Sequence, residues 1–180
     1  MMGAVYMPGE DSYLLQKYVE ILVSGAVLDM GTGSGIQAVS AAMKKEVIHV
    51  LAVDINPVAL ITAEKRAAEY HVLDKMEFRL SDLFSSIDGC FDWILFNTPY
   101  LPSEGKADEA SWAGGESGGE IIKRFLVEAS DHLSENGSIL MIYSSLSGLS
   151  ECDFSGYCFE LLEEMGVFFE KIYCIRLNPS

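Results

Sequence analysis

Ala26-Val27-Leu28-Asp29-Met30-Gly31-Thr32-Gly33-Ser34-Gly35 decides the fold. The first five residues are a short apolar run that stops at glycine, and Ile36 to Lys45 then has helical spacing with good formers such as Ala38, Ala41, Ala42 and Met43. The order is strand, glycine turn, helix. Glycines stand where a chain must turn sharply and let a ligand approach its backbone. A dinucleotide fingerprint needs glycine at the sixth position of G-x-G-x-x-G, and counted from Gly31 that position is Ile36. The spacing is G-x-G-x-G, which suits a different nucleotide-type ligand.

Outward from this turn the pattern repeats. Ile48 to Ile55 is a β-rich run, Pro57 suits a first helical turn, and Val58 to Tyr70 is an Ala-rich amphipathic helix. Met76 to Leu80 and Phe91 to Asn97 read as the third and fourth strands, the latter nearly all apolar as a strand covered on both faces should be. Helix Glu120 to Leu133 follows a Gly-, Ser- and Glu-rich segment from Pro102 to Gly119, and Ser138 to Tyr143 is a fifth strand. Before the glycine turn, Pro8-Gly9-Glu10-Asp11-Ser12 opens an amphipathic helix, its acids matched to the positive N-terminal end. In the tail Phe154 to Met165 has helical spacing, and Val167 to Leu177 reads as one long strand or a tight hairpin. Alternating strands and helices imply an α/β fold: a parallel sheet with right-handed crossovers and helices on both faces, ligands binding beyond the C-terminal strand ends at the switch point. No repeat or linker divides residues 1–180, so one domain is expected.

The formal charge of −15 disfavours nucleic acid, because phosphate binding needs clustered Lys and Arg. The same field hastens encounter with a basic protein, and equally serves plain solubility. The N-terminus lacks a basic segment followed by an apolar run and no stretch is long and apolar enough to span a bilayer, so a cytoplasmic protein without membrane contact is expected. Cys90, Cys152, Cys158 and Cys174 show no C-x-x-C spacing, and with only His49, His71 and His132 beside them they form no zinc set; buried reduced thiols are expected.

Three carboxylates fall at strand ends. Asp54 ends the second strand, where it can accept both hydroxyls of a ribose; Asp29 begins the glycine loop, where a ligand ammonium can lie; Asp82 follows the third strand, within reach of an adenine amino group. Each also reads as a helix cap or a solvated loop residue. Asn97-Thr98-Pro99-Tyr100, at the end of the fourth strand, offers a side-chain carbonyl, a backbone carbonyl and an aromatic face together. An amide or aromatic amine is a poor nucleophile because its lone pair is delocalised, so a catalyst must orient the NH2 and stabilise developing positive charge. The Asn97 and Thr98 oxygens can each accept one N–H, Tyr100 can stack on the planar group, and Pro99 restrains Thr98 to an extended conformation. A plain N-x-P-Y turn leaving a strand is the alternative.

These residues resemble class I methyltransferases, and more narrowly the HemK/PrmC-like protein glutamine N5-methyltransferases of the archaeal and eukaryotic release-factor branch. Tyr6-Met7-Pro8-Gly9-Glu10-Asp11-Ser12 looks like that branch's Y-x-P-x-E-D-[ST] segment, Asp54-Ile55-Asn56-Pro57 like its D-I-N-P motif, and Ser81-Asp82-Leu83 like its adenine motif. Ser111-Trp112-Ala113-Gly114-Gly115, with Gly119 and Arg124-Phe125 after it, resembles the branch's W-A-G-G loop and following helix. Thr98 stands where the family's N-P-P-Y has its first proline, and the short C-terminus suggests that the last strands of the usual mostly parallel seven-stranded Rossmann-like sheet are abbreviated or merged.

The resemblance implies S-adenosyl-L-methionine as cofactor, leaving as S-adenosyl-L-homocysteine, held by Ser12, Asp29, Gly31, Gly33, Gly35, Asp54, Ile55, Asp82, Leu83 and Asn97. It implies catalysis at Asn97, Thr98, Pro99 and Tyr100, no metal, a class-1 peptide chain release factor methylated on the glutamine of its Gly-Gly-Gln loop, and a small zinc-binding activator protein that adds to the sheet edge. Two other readings share the motifs. An adenine-N6 methyltransferase acting on RNA or DNA uses N-x-P-Y on an exocyclic amine of a flipped base, and a non-catalytic cofactor-binding subunit would tolerate Thr98.

Overall fold

A computed structural model describes residues 5–99 and 119–180. In chain order the elements are α1 (Glu10–Leu22), β1 (Gly25–Met30), α2 (Ile36–Ala42), β2 (Val47–Asp54), α3 (Pro57–Glu69), β3 (Met76–Leu80), β4 (Phe91–Asn97), α4 (Glu120–Ala129), β5 (Leu133–Ser144), β6 (Tyr157–Val167) and β7 (Glu170–Pro179). The strands form one sheet in the order β3-β2-β1-β4-β5-β7-β6. Every pairing is parallel except those of β7, which runs antiparallel to both β5 and β6. This is the mostly parallel, seven-stranded Rossmann-like arrangement that the resemblance implies.

The apolar strands are covered on both sides. Val27, Val50, Ala52, Trp93, Leu95, Leu140 and Ile142 face a core built with Leu15 and Val19 of α1, Ala38 and Ala41 of α2 and Ala67 of α3. Their neighbours Leu28, Met30, Leu51, Val53, Ile94, Phe96, Ile139 and Met141 face Ile122, Phe125 and Leu126 of α4. The two-residue alternation sends successive side chains to opposite layers. Phe125 anchors the second layer against Phe96 and Phe84, ring centroids 4.7 and 5.4 Å away, and its full burial stabilises the fold by roughly 2–3 kcal/mol. In the D-I-N-P run, Asn56 caps α3 by accepting from the Val58 amide at 3.0 Å, with Pro57 in the first turn.

Two expectations for the tail are corrected. Phe154 to Met165 is not a helix: a short 3-10 turn at Glu151–Phe154 is followed by the strand β6. Leu, Glu and Met favour helix, but propensity is a weak prior, and here the outer backbone edge of β7 takes β6 as its partner along the whole strand. A register shift between Leu161 and Glu163 accommodates Leu162, whose carbonyl accepts from the Tyr18 hydroxyl of α1 at 3.1 Å. The last strands are also neither abbreviated nor merged, at 11 and 10 residues. The four cysteines are free as expected, but only Cys174 is buried; Cys90, Cys152 and Cys158 are exposed. Among the described residues no helix is long and apolar enough to cross a membrane.

Candidate active site

After β1 the chain moves outward to β2 and β3, then returns to place β4 on the other side of β1. The C-terminal strand ends at this reversal form the crevice where such sheets bind ligands. Met30 pairs with Val53 on one side and Phe96 on the other, so Gly31, Asp54 and Asn97, each one residue further on, lie at the same level.

The three glycines of the turn all have left-handed backbones, with φ of +65° at Gly31, +53° at Gly33 and +77° at Gly35. Their surroundings differ. A Cβ on Gly35 would lie 2.7 Å from the Ala63 Cα, so Gly35 allows α2 and α3 to approach each other. A Cβ on Gly33 would meet nothing nearer than the Gly31 carbonyl at 3.8 Å, and one on Gly31 only the Phe96 ring at 3.5 Å. Gly31 and Gly33 thus leave their backbone open to a ligand.

Asp54 grips this turn: Oδ2 accepts from the Gly33 amide at 2.9 Å and Oδ1 from the Asn56 amide at 2.8 Å. Burial raises its carboxyl above the usual range while these amide bonds pull it back. A carboxylate has about four lone-pair sites, so both oxygens keep capacity for hydroxyl donors. Ile55, beside it, is 46% exposed and offers an apolar face.

Asp29 is more enclosed, at 1% exposure. Its Oδ2 accepts from the Thr32 hydroxyl at 2.7 Å and from the Ala38 amide in the first turn of α2 at 3.1 Å, so this oxygen holds the loop to the helix. Burial pushes its carboxyl up to about 7. Asp82 is exposed and pairs with Arg124 of α4 at 3.0 Å. Leu83 next to it is buried with φ of +47°, a left-handed value that is costly for a bulky side chain, and its carbonyl accepts from Ser81 Oγ at 2.7 Å.

Asn97 is where the chain's distant parts converge. Its Nδ2 donates to Asp11 Oδ2 at 3.0 Å and to Ser12 Oγ at 3.2 Å. A carboxylate only accepts, so the carboxamide must turn its NH2 toward α1 and its carbonyl away. That carbonyl, Oδ1, is buried and has no partner among the described residues. Asp11 itself, 6% exposed, also accepts from the Tyr6 hydroxyl at 2.9 Å. Burial, then the Asp11 charge, raises the Tyr6 phenol well above its ordinary value. Thr98 is buried, and its hydroxyl donates to the Ile142 carbonyl of β5 at 2.8 Å; the side chain therefore ties the segment to the sheet where the resembling family has a proline. Pro99 is half-buried. Tyr100 and the Ser111 to Gly115 segment lie outside the described residues.

Three neighbours lie beyond the expected site residues. Tyr6 and Asp11 fall in the Y-x-P-x-E-D-[ST] segment, but their action on Asn97, 91 and 86 positions away in the chain, is not written in that local pattern. Gln37 is 3% exposed, donates from Nε2 to the Ser12 carbonyl at 2.7 Å and leaves Oε1 without a partner among the described residues. A glutamine in the otherwise small and apolar α2 was the available signal. Burying an unpaired carbonyl costs about 1–3 kcal/mol, and both side chains concerned, Gln37 and Asn97, hydrogen-bond Ser12 through their NH2 groups.

Residues 10–152 match the methyltransferase small domain model. A Methanocaldococcus jannaschii protein, whose provisional name is protein N5-glutamine methyltransferase, is 36% identical over 96% of this chain and 90% of its own length. The release factor glutamine methyltransferase of Koribacter versatilis is 37% identical over 77% of this chain, which spans only 54% of that longer protein. Among solved structures, a ribosomal protein L11 methylase from Lactobacillus delbrueckii superposes with a TM-score of 0.67 at 22% identity, over 96% of this chain and 81% of its own, a likeness of fold. With the glycine turn, the strand-end acids and this extent of match together, the chain belongs to the methyltransferase small domain family.

Proposed function

We propose that this chain is an S-adenosylmethionine-dependent methyltransferase that N5-methylates the glutamine of a Gly-Gly-Gln loop in a class-1 peptide chain release factor. The observation that carries the reading is the Asn97 carboxamide, its NH2 held by Asp11 and Ser12 and its buried oxygen left without a partner among the described residues. A side-chain amide of a substrate brings the N–H donor that this oxygen lacks.

The residues at the strand ends fit the cofactor. The open backbone of Gly31 and Gly33 admits its chain, Asp54 can take the ribose hydroxyls, the exposed face of Ile55 and the Asp82–Leu83 loop flank an adenine, and Ser12 lies where the reacting end would come. Bound there, S-adenosylmethionine supplies an electrophilic methyl group on a sulfonium. Asn97 Oδ1 and the Thr98 carbonyl then accept the two N–H bonds of the substrate amide, turning its nitrogen lone pair toward that methyl and stabilising the positive charge that develops. The nitrogen becomes acidic only after transfer, so water can take the proton and no general base is needed. The acidic chain favours encounter with a basic protein over a nucleic acid. For the zinc-binding activator implied by the resemblance, β3 is a terminal strand of the sheet, with Leu80 and Ile48 exposed nearby.

The test is transfer of labelled methyl from S-adenosylmethionine to recombinant release factor, with and without the activator, and mass-spectrometric location of the group. Methyl on the Gly-Gly-Gln glutamine, lost in Asn97→Ala with the fold retained, is the expected result. Methylated adenine in RNA or DNA instead, or no transfer to any of these even with the activator, overturns the reading.

A further inference from the structure

We propose that the β6–β7 hairpin is a docking element for the protein substrate, its tip Phe168-Phe169 and the acidic pocket beside it gripping basic polypeptide next to the methylated side chain. This rests on the function proposed above and names the surface that makes the substrate a protein.

The turn is built against local preference. β6 ends at Val167 and β7 begins at Glu170, leaving a two-residue connection, a kind of turn that favours glycine wherever a residue must take positive φ. Here Phe168 takes φ of +49°, a conformation unfavourable for a large side chain. Phe168 and Phe169 are each 99% exposed. A single exposed apolar residue is ordinary, but two adjacent aromatic rings wholly in water on a strained turn oppose both the backbone and the hydrophobic effect. A partner that covers the rings reconciles the two.

The place of the tip selects the partner. Val167 and Glu170, which flank it, line an open pocket of about 130 Å³ together with Tyr6, Glu10, Asp11 and Ile172. Asp11 is the residue that holds the Asn97 carboxamide, so the pocket adjoins the reaction centre and whatever fills it lies beside the group being methylated. Among the described residues the lining carries three carboxylates, Glu10, Asp11 and Glu170, and no cation. Lys171, next along β7, is engaged by Glu164 at 2.8 Å, and Lys17 of α1 by Glu163. Phosphates are repelled here, whereas Lys or Arg beside apolar side chains finds both its charge and its aromatic cover.

The experiment replaces the tip with Phe168→Gly together with Phe169→Ser, which puts glycine at the one position of positive φ, relieves the backbone there and leaves the catalytic residues untouched. Binding of recombinant class-1 release factor is measured by calorimetry, and methyl transfer by KM and kcat on the release factor and on a short peptide carrying the glutamine. Expected are an unchanged or raised Tm, unchanged cofactor affinity and peptide turnover, and at least a tenfold rise in Kd and KM for the release factor. Equal binding and KM in the native and altered chains overturn the docking role while leaving the proposed reaction standing. Failure of the native chain to bind or methylate the release factor overturns the reaction, and this docking role with it.

Discussion

Asn97 Nδ2 lies 3.0 Å from Asp11 Oδ2, and that contact decides which way the carboxamide faces. Because Asp11 as a carboxylate can only accept, the Asn97 carbonyl is committed to the opposite side, where it has no partner among the described residues. A helix N-terminus and a strand end 86 residues apart in the chain thus combine to present one vacant acceptor.

Replacing Asn97 by Ala removes that acceptor. Loss of a single donor or acceptor to a transition-state charge typically lowers kcat by about 10²–10³, and the prediction is a fall of this size with cofactor affinity within a few-fold of native. Asp11→Asn should lower kcat by about 10–100-fold, the equivalent of a lost charge-assisted hydrogen bond, because an amide in that place lets the Asn97 group turn over. Steady-state kinetics on both variants and the double mutant check this. If Asp11 acts through Asn97, its substitution has little further effect once Asn97 is alanine; additive losses contradict the coupling.

Asp54→Ala should act on binding. In the proposed function the carboxylate takes the ribose hydroxyls, and it steadies the Gly33 amide at 2.9 Å, so its removal takes away hydroxyl acceptors and loosens the turn. Calorimetry should show Kd for S-adenosylmethionine raised about 100-fold, as two charge-assisted hydrogen bonds would require, while kcat at saturating cofactor changes much less. Native affinity in the variant contradicts the ribose assignment.

Much of this architecture was legible because it is written locally. The glycine turn announces itself by a strand-period run followed by a helix-period run, and the Asn56-Pro57 pair signals the start of α3 through capping chemistry. What failed was decided elsewhere in the chain. Phe154 to Met165 carries helix formers, yet the unpaired edge of β7 makes a strand of most of it, and single-sequence periodicity does not contain that edge. The roles of Tyr6, Asp11 and Gln37 were hidden for the same reason, although a motif marks the first two: Asn97 is brought to Asp11, and Ser12 to Gln37, only by the packing of α1 and α2 against the sheet.

Thr98 provides a test of how the reaction segment is anchored. Its hydroxyl donates to the Ile142 carbonyl at 2.8 Å, so Thr98→Val, nearly the same in shape, removes one buried hydrogen bond and should lower stability by about 1 kcal/mol. If this bond also aims the Thr98 carbonyl, kcat falls severalfold with cofactor affinity unchanged. Urea denaturation and kinetics on the same preparation separate the two, and native values in both assays contradict the anchoring role.

Asp29 predicts a pH dependence whose sign follows from its burial. Desolvation lifts its carboxyl from 3.8 to about 7 in the folded chain, against the Thr32 and Ala38 hydrogen bonds that favour ionisation. The fold therefore prefers the protonated acid. Its contribution to stability is fully present below about pH 4, the unfolded value, and is lost as pH rises toward 7. The many other acids of this −15 chain also titrate or repel over that range, so the informative quantity is the difference from Asp29→Asn, which stays uncharged and can still accept from Thr32 and Ala38. Between pH 4 and pH 8 the native chain should lose stability relative to the variant by a few kcal/mol, in the proportion that linkage sets for a carboxyl raised this far. Parallel urea denaturation curves across that range, giving a constant difference between the two chains, would show that Asp29 is ionised in the fold and that its enclosure is compensated.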